Sequence, residues 1–491
     1  MRPEILEKLR AHQRAPAEQL LQILKSGGVA FDLSDTGTGK TFVGAAIAAE
    51  LQVPALAIVP KIAETAWHEA AAHFGDKISV VGWELLRTGN TLYGRWENGP
   101  PPPRDERMFF KCPNCLCKLD PAKMIPCSAH WAGIHCLEVK TNPHKYGKFI
   151  FNPAIRLLIF DEIHRAAGDS LNADMVIGAK RSGIPTLGLT ATLAHSPLHL
   201  RATGYLAGLH QLGNFDQWCG QRGCRRVPMR GVQWLAPKEK QDEIMRAIGR
   251  SIIPSKGVRV LRSEIPDFPG RSIQAELFDL PKEDTDELNA LYEILSVPLA
   301  DLEARAAADV DPELAITKRL RARQRIELLK VGVAEELGTD YLQKNHSVVF
   351  FVNFQQTVDE LLRRFPGAGL ITGQITGKRR QDGVAAFQSN RNRALIVNNQ
   401  AGGIALSLQD LHGDFPRVGI VFPADSPVVM EQLFGRLARS GGKSDALYRI
   451  IFASRSVEVP MRRSLELSYN NLAALKIPEE ISCNPFVIEA K

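Results

Sequence analysis

Residues 33–42 read LSDTGTGKTF and follow closely on the apolar run Val29-Ala30-Phe31. Gly37 and Gly39 carry no Cβ to block an approaching group or forbid positive φ, so successive backbone N–H groups there can converge on phosphate oxygens. The alanine-rich run Phe42 to Leu51 then reads as a helix whose N-terminus adds partial positive charge at the same point. In such a strand–loop–helix unit Thr36, Gly37, Thr38 and Gly39 surround the phosphates. Lys40 reaches the β- and γ-phosphates and the Thr41 hydroxyl completes a Mg²⁺ shell, so ATP and Mg²⁺ are the expected cofactors. Ser34 stands where the usual pattern has a glycine.

Outward from this loop, short apolar segments recur at Ala55–Val59, Ile78–Val81, Leu157–Phe160 and Thr186–Leu189, separated by helical patterns. That alternation predicts an α/β fold of parallel strands with crossover helices. From Thr192 to about Arg250 the chain reads as mostly helical, and the prolines of VRVLRSEIPDFPG, Val258 to Gly270, mark a crossover between units. A charged helical stretch, Glu283 to Gln343, includes KRLRARQR and reads as a solvated face. A second alternating region follows, with apolar segments at Ser347–Val352, Gly369–Ile371, Ala394–Val397 and Val418–Phe422. The expected domains are 1–265 and 266–491.

With 491 residues, 44% of them hydrophobic and 23% charged, the chain has the make-up of a soluble globular protein of two or three units. Its 61 Lys and Arg against 54 Asp and Glu leave a net +7, which suits a polyanionic partner without demanding one. Met1-Arg2-Pro3-Glu4 does not open a secretory leader, and no apolar run reaches membrane-spanning length. A cytoplasmic protein with no membrane partner is expected.

Between Gly89 and Tyr146 the alternation breaks at four consecutive prolines, Pro100 to Pro103, so residues 90–148 read as an insertion in the first domain. Five of the eight cysteines cluster there, which in a reducing compartment points to metal and not to disulfides. Cys112 and Cys115, then eleven residues, then Cys127 and His130 have the spacing of a closed tetrahedral zinc site, with Cys136 as an alternative ligand. Zn²⁺ would hold folded a segment too short to bury a core of its own.

The second half of a nucleotide site should follow another strand, and Asp161-Glu162 follows Leu157–Phe160. Asp161 would hold Mg²⁺, usually through water, while Glu162 would orient and deprotonate the water attacking the γ-phosphate.

SDTGTGKT, DEIH and TAT, with QLFGRLAR far downstream, resemble motifs I, II, III and VI of superfamily two helicases. The resemblance runs from Gln13 to about Phe452, the insertion excepted, and implies two tandem RecA-like domains with ATP in the cleft between them. LRAHQ resembles the adenine-side Q motif, which puts Gln13 near the base. MEQLFGRLARSGG places Gln432, Gly435, Arg436 and Arg439 on the second domain facing the ATP, with Arg439 as the arginine finger and Arg436 supporting it. VPKIAETAWHEAAAHF, VRVLRSEIPDFP and NQAGGIALSL are similar to segments of Swi/Snf-type DNA translocases, and compact phage-type DNA helicases share the layout. The chain departs from that branch in reading TATL where TGTP is usual, and in Ala405 and Ser407 where Gly and Asn are common. The resemblance implies an ATP-dependent helicase or translocase acting on single-stranded, duplex or forked DNA. An RNA helicase and a non-catalytic nucleic-acid-binding scaffold are the alternatives.

Overall fold

The computed structural model describes residues 1–75, 78–97, 110–111, 118–119, 147–227, 231–296, 312–373, 375, 377–399, 406–424, 427–454, 456, 458 and 470–471. Runs that read as apolar segments become strands buried on both sides. β1 (Val29–Asp32), β2 (Ala55–Val59) and β3 (Ser79–Gly82) are followed by β4 (Gly94–Glu97) and β5 (Lys148–Phe151), and then by β6 (Leu157–Asp161) and β7 (Thr186–Leu189). β8 (Cys224–Val227) and β9 (Gly231–Trp234) precede β10 (Gly257–Val258). The first sheet has the order β10-β1-β7-β6-β2-β3, parallel throughout.

Every residue of β2 and β6 is buried, so their sequences are continuous apolar runs and not alternations, as helices on both faces require. Ala57 and Ile159 face one core with Leu20, Ala46 and Trp67, from the helices α1 (Ala11–Gly27), α2 (Lys40–Leu51) and α3 (Glu64–Phe74). Phe31, Ile58 and Phe160 face the other, with Trp83, Met175 and Met245. Small side chains along α2 let the helix behind the phosphate loop lie close to the sheet.

The second domain repeats the plan. β11 (Arg271–Phe278), β12 (Ser347–Val352), β13 (Gly369–Ile371), β14 (Ala394–Asn398), β15 (Arg417–Val421) and β16 (Ala446–Ala453) form a parallel sheet in the order β11-β16-β15-β12-β14-β13. The α/β class and the two tandem parallel-sheet, RecA-like domains are as the sequence predicts. Among its described residues the charged stretch forms the helices Lys282–Ser296, Pro312–Leu328 and Val331–Gln343.

Two features differ from the sequence reading. The stretch after Thr192 is not all helix: β8 and β9 pair as an antiparallel hairpin, entered through Gly223 at φ 84°. β11 and β16 are strands whose part-exposed positions dilute their apolar signal.

The insertion leaves and rejoins the domain at one point, because β4 and β5 pair antiparallel from Gly94↔Phe151 to Glu97↔Lys148. Cys112, Cys115, Cys127, His130 and Cys136 lie outside the described residues, so the zinc expectation has no structural test. Among the described residues no group of three or more His, Cys, Asp or Glu side chains is placed to hold a metal, and no helix is long and apolar enough to cross a membrane.

Candidate functional site

The phosphate loop leaves β1 with the Asp32 carboxylate accepting a hydrogen bond from Ser34 N at 2.9 Å. Gly37 and Gly39 adopt φ of 84° and 91°, the left-handed region where other residues are strained. A Cβ on Gly39 would also lie 2.1 Å from the Gln13 amide nitrogen. That amide is committed to the loop: Nε2 donates to Thr38 O at 3.0 Å, and Oε1 accepts from Arg10 N at 3.0 Å. Gln13 therefore stands against the loop itself.

Lys40 Nζ donates to Ser34 O and Asp35 O, both at 2.9 Å, so its charge rests on backbone carbonyls of the loop it follows. Thr36 Oγ1 is buried with no hydrogen-bond partner among the described residues. A triphosphate with its Mg²⁺ would satisfy both groups, and so the residues fit that pair.

The same loop is tied to the crossover between the domains. Val260 N donates to Ser34 Oγ at 3.0 Å, Asp35 N donates to Val260 O at 3.0 Å, and Arg262 N donates to Asp35 Oδ2 at 2.9 Å. The hydroxyl of Ser34, at the departure from the usual glycine, is thus in use.

At the end of β6, Asp161 Oδ2 accepts from Trp67 Nε1 at 2.8 Å, and Trp83 Nε1 donates to the Asp161 carbonyl at 2.9 Å. Burial, and after it the neighbouring Glu162 charge, push the Asp161 carboxyl up to about 6 against the opposing pull of Trp67 and Lys40. A divalent cation beside it would favour the ionised form. Glu162 sits at φ 53°, rare for a residue with a side chain. Burial raises its carboxyl too, but the hydrogen bond with His164 and the charges of Lys40 and Arg436 outweigh that and hold it at about 2.

A chain of hydrogen bonds runs from the second domain to Glu162. Gln432 Nε2 lies 3.0 Å from His164 Nε2, and His164 Nδ1 lies 2.9 Å from Thr190 Oγ1. The Thr190 hydroxyl donates to Glu162 Oε2 at 3.4 Å, and His164 Nδ1 is itself 3.3 Å from that oxygen. DEIH, TAT and QLFGRLAR therefore meet at one carboxylate.

The two arginines of the second domain take different positions at the loop. Arg436 is buried within electrostatic range of both Glu162 and Asp161, and burial pushes it down to about 10. Arg439 crosses the phosphate loop, since a Cβ on Gly37 would lie 3.3 Å from its Cγ. Its guanidinium turns back to donate to Leu406 O at 2.7 Å and Ser407 Oγ at 2.8 Å.

Similar proteins agree with this layout in part. The helicase conserved C-terminal domain family matches residues 330–441. The chain is 27% identical over 492 residues to "Putative ATP-dependent RNA helicase L364" of Acanthamoeba polyphaga mimivirus, a match covering 96% of this chain and 84% of the relative. Among solved structures, S. cerevisiae Dbp5 bound to RNA and ADP BeF3 is similar at 10% identity and a TM-score of 0.46, covering 96% of this chain and 92% of that one. A single-substitution variant of Dbp5, bound to the same ligands, is similar at 11% identity and a TM-score of 0.45, with the same coverage. The chain is thus similar to a helicase C-terminal domain over residues 330–441, and to a relative named as a helicase along nearly its whole length.

Two expectations are corrected here. The relative aligned along nearly the whole chain carries the name of an RNA helicase, which overturns the DNA helicase or translocase reading and, with it, DNA as the partner. The resemblance to Swi/Snf-type translocases has no counterpart in these relatives.

Proposed function

We propose that the protein is an ATP-dependent RNA helicase that hydrolyses ATP when its two domains close on each other. The observation that carries this reading is the Gln432–His164–Thr190–Glu162 chain, which places the carboxylate suited to activate water under the control of the second domain. RNA as the substrate rests on the name of the full-length relative.

In this mechanism Lys40 leaves the carbonyls of Ser34 and Asp35 for the β- and γ-phosphates. Thr41 and Asp161 would hold Mg²⁺, which would supply neutralisation of the phosphate charge. Glu162 orients a water and takes its proton, kept ionised by His164, Lys40 and Arg436. Arg436 faces the developing charge from the second domain, and Arg439 reaches the same phosphates once its head leaves Ser407. Gln13 positions the loop. RNA held across both domains favours closure, so hydrolysis follows RNA binding.

Residues 1–265 and 266–491 are the two domains in this reading. A zinc-held insertion on Cys112, Cys115, Cys127 and His130 or Cys136, and a cytoplasmic location, rest on the sequence alone. Glu162→Gln tests the assignment: it should bind ATP as the parent does and lose turnover by about 10²- to 10⁴-fold. Retained hydrolysis would overturn it.

A further inference from the structure

The hairpin β8–β9 stands outside the nucleotide site and is not needed to build it. Its root is clamped. The Arg222 guanidinium lies 3.9 Å above the Trp218 ring and donates to Trp218 O at 2.9 Å, while Trp234 Nε1 donates to Arg222 O at 2.8 Å. Leu235 N donates to Gly223 O at 2.9 Å, and a Cβ on Gly223 would sit 2.7 Å from that of Ala236. Cys224 is buried beneath the strand.

Beyond this root the ribbon is open to solvent and basic. Arg225 and Arg226 are exposed, opposite Gln233 and Val232 in the antiparallel register, and Lys238 and Lys240 are exposed just past β9. Val232 and Leu235 are exposed at 37% and 52%, on opposite faces of the ribbon. Arg165 meets Glu84 and Arg201 meets Asp169 elsewhere on this domain's surface. Neither Arg225 nor Arg226 has a carboxylate within ion-pair distance among the described residues. Each face of the ribbon therefore carries one unneutralised guanidinium, suited to a phosphate oxygen, and one part-exposed apolar side chain, suited to the face of an unpaired base: Arg226 with Val232 on one face and Arg225 with Leu235 on the other.

The place of the hairpin also matters. β9 packs against the turn Pro197–Leu200, and Trp234 and Leu198 lie against one core. That turn follows closely on Thr190–Thr192, and the Thr190 hydroxyl reaches Glu162.

We propose that the β8–β9 hairpin is a second RNA-binding element, in which Arg225 and Arg226 contact the phosphates of a single strand outside the interdomain cleft. The proposal rests on the RNA-helicase reading for its ligand. It predicts that RNA on the hairpin is held beside the segment that carries Thr190.

The test is binding of a fluorescent single-stranded RNA oligonucleotide to the full chain across a potassium chloride series. The parent is compared with Arg225→Ala/Arg226→Ala and with Arg225→Lys/Arg226→Lys, and hydrolysis without RNA serves as the folding control. Two lost phosphate contacts should lower the slope of log affinity against log salt by about 1.4, and should weaken binding about 25-fold near 0.1 M salt. The lysine pair should recover the slope, and hydrolysis without RNA should stay at the parent level. An alanine pair with the parent's affinity and slope would overturn the hairpin proposal and leave the RNA-helicase reading intact. A parent that binds no RNA would overturn that reading and the proposal together.

Discussion

A single methyl group at position 435 should disable the motor without unfolding it. Gly435 follows the helix Pro427–Phe434 of the second domain and lies on the phosphate loop of the first. A Cβ there would stand 2.1 Å from Thr36 Oγ1, 2.3 Å from Thr36 Cβ and 3.0 Å from Thr36 Cγ2. Carbon atoms in contact prefer about 3.5 to 4.0 Å, so the domains would have to part by more than about 1 Å. Rotating Thr36 gives no relief, because its own Cβ is among the clashing atoms. Overpacking on this scale costs about 1–3 kcal/mol, and each 1.36 kcal/mol is about tenfold in rate, so Gly435→Ala should lower kcat for RNA-stimulated hydrolysis by about 5- to 160-fold. Because the clash lies between domains, the melting temperature of Gly435→Ala should match the parent's. Binding of a fluorescent ATP analogue, which depends chiefly on the first domain, should change by less than about threefold. Adding Thr36→Gly, which removes the opposing Cβ, should restore part of the rate in a double-mutant cycle. A kcat equal to the parent's in Gly435→Ala would refute the closed arrangement as the hydrolysing state.

Other predictions concern stability. Ser34→Ala removes the acceptor of Val260 N, and an unsatisfied amide there should cost about 1–2 kcal/mol and lower the melting temperature by several degrees; an unchanged melt would mean that the crossover does not depend on this hydroxyl. Burial, with His199 beside it, pushes His195 down from 6.5 to about 4. The folded chain thus binds that proton later than the unfolded chain, and stability that is full above pH 6.5 declines as pH falls toward 4, by up to about 3 kcal/mol. His195→Phe should flatten the melting temperature across that window, and a parent-like decline would exclude His195 as its source. Lys330 and Glu458 pair at 2.7 Å with side chains only 3% and 2% exposed, so Lys330→Met should cost about 3–5 kcal/mol by stranding a buried carboxylate. Lys330→Met/Glu458→Gln should melt above the single variant, and the reverse order would remove the stranded-charge explanation.

The central strands were legible because burial on both faces writes them as uninterrupted apolar runs, as in β2, β6 and β12. β11 was not, since it lies at an edge of its sheet and half its positions face partly outward. The β8–β9 hairpin was hidden for a related reason: CRRV has a single buried residue, and its pairing is set by Gly223 and by the clamp around Trp218. Lys40, Asp161 and Glu162 could be named from local pattern because a phosphate loop and a strand-end carboxylate are short-range features. The connection among Gln432, His164 and Thr190 could not, because it joins three segments that only folding brings together. Ser34 shows a third kind of limit. Its departure from glycine was visible, but its use was not, since its partner Val260 is 226 residues away.

The most direct test of the central claim is steady-state ATP hydrolysis measured in parallel with no nucleic acid, with single-stranded RNA, and with single-stranded DNA of the same base order. The account predicts strong stimulation by RNA, little by DNA, and loss of the RNA response in Glu162→Gln. Stimulation by DNA with none by RNA would contradict it.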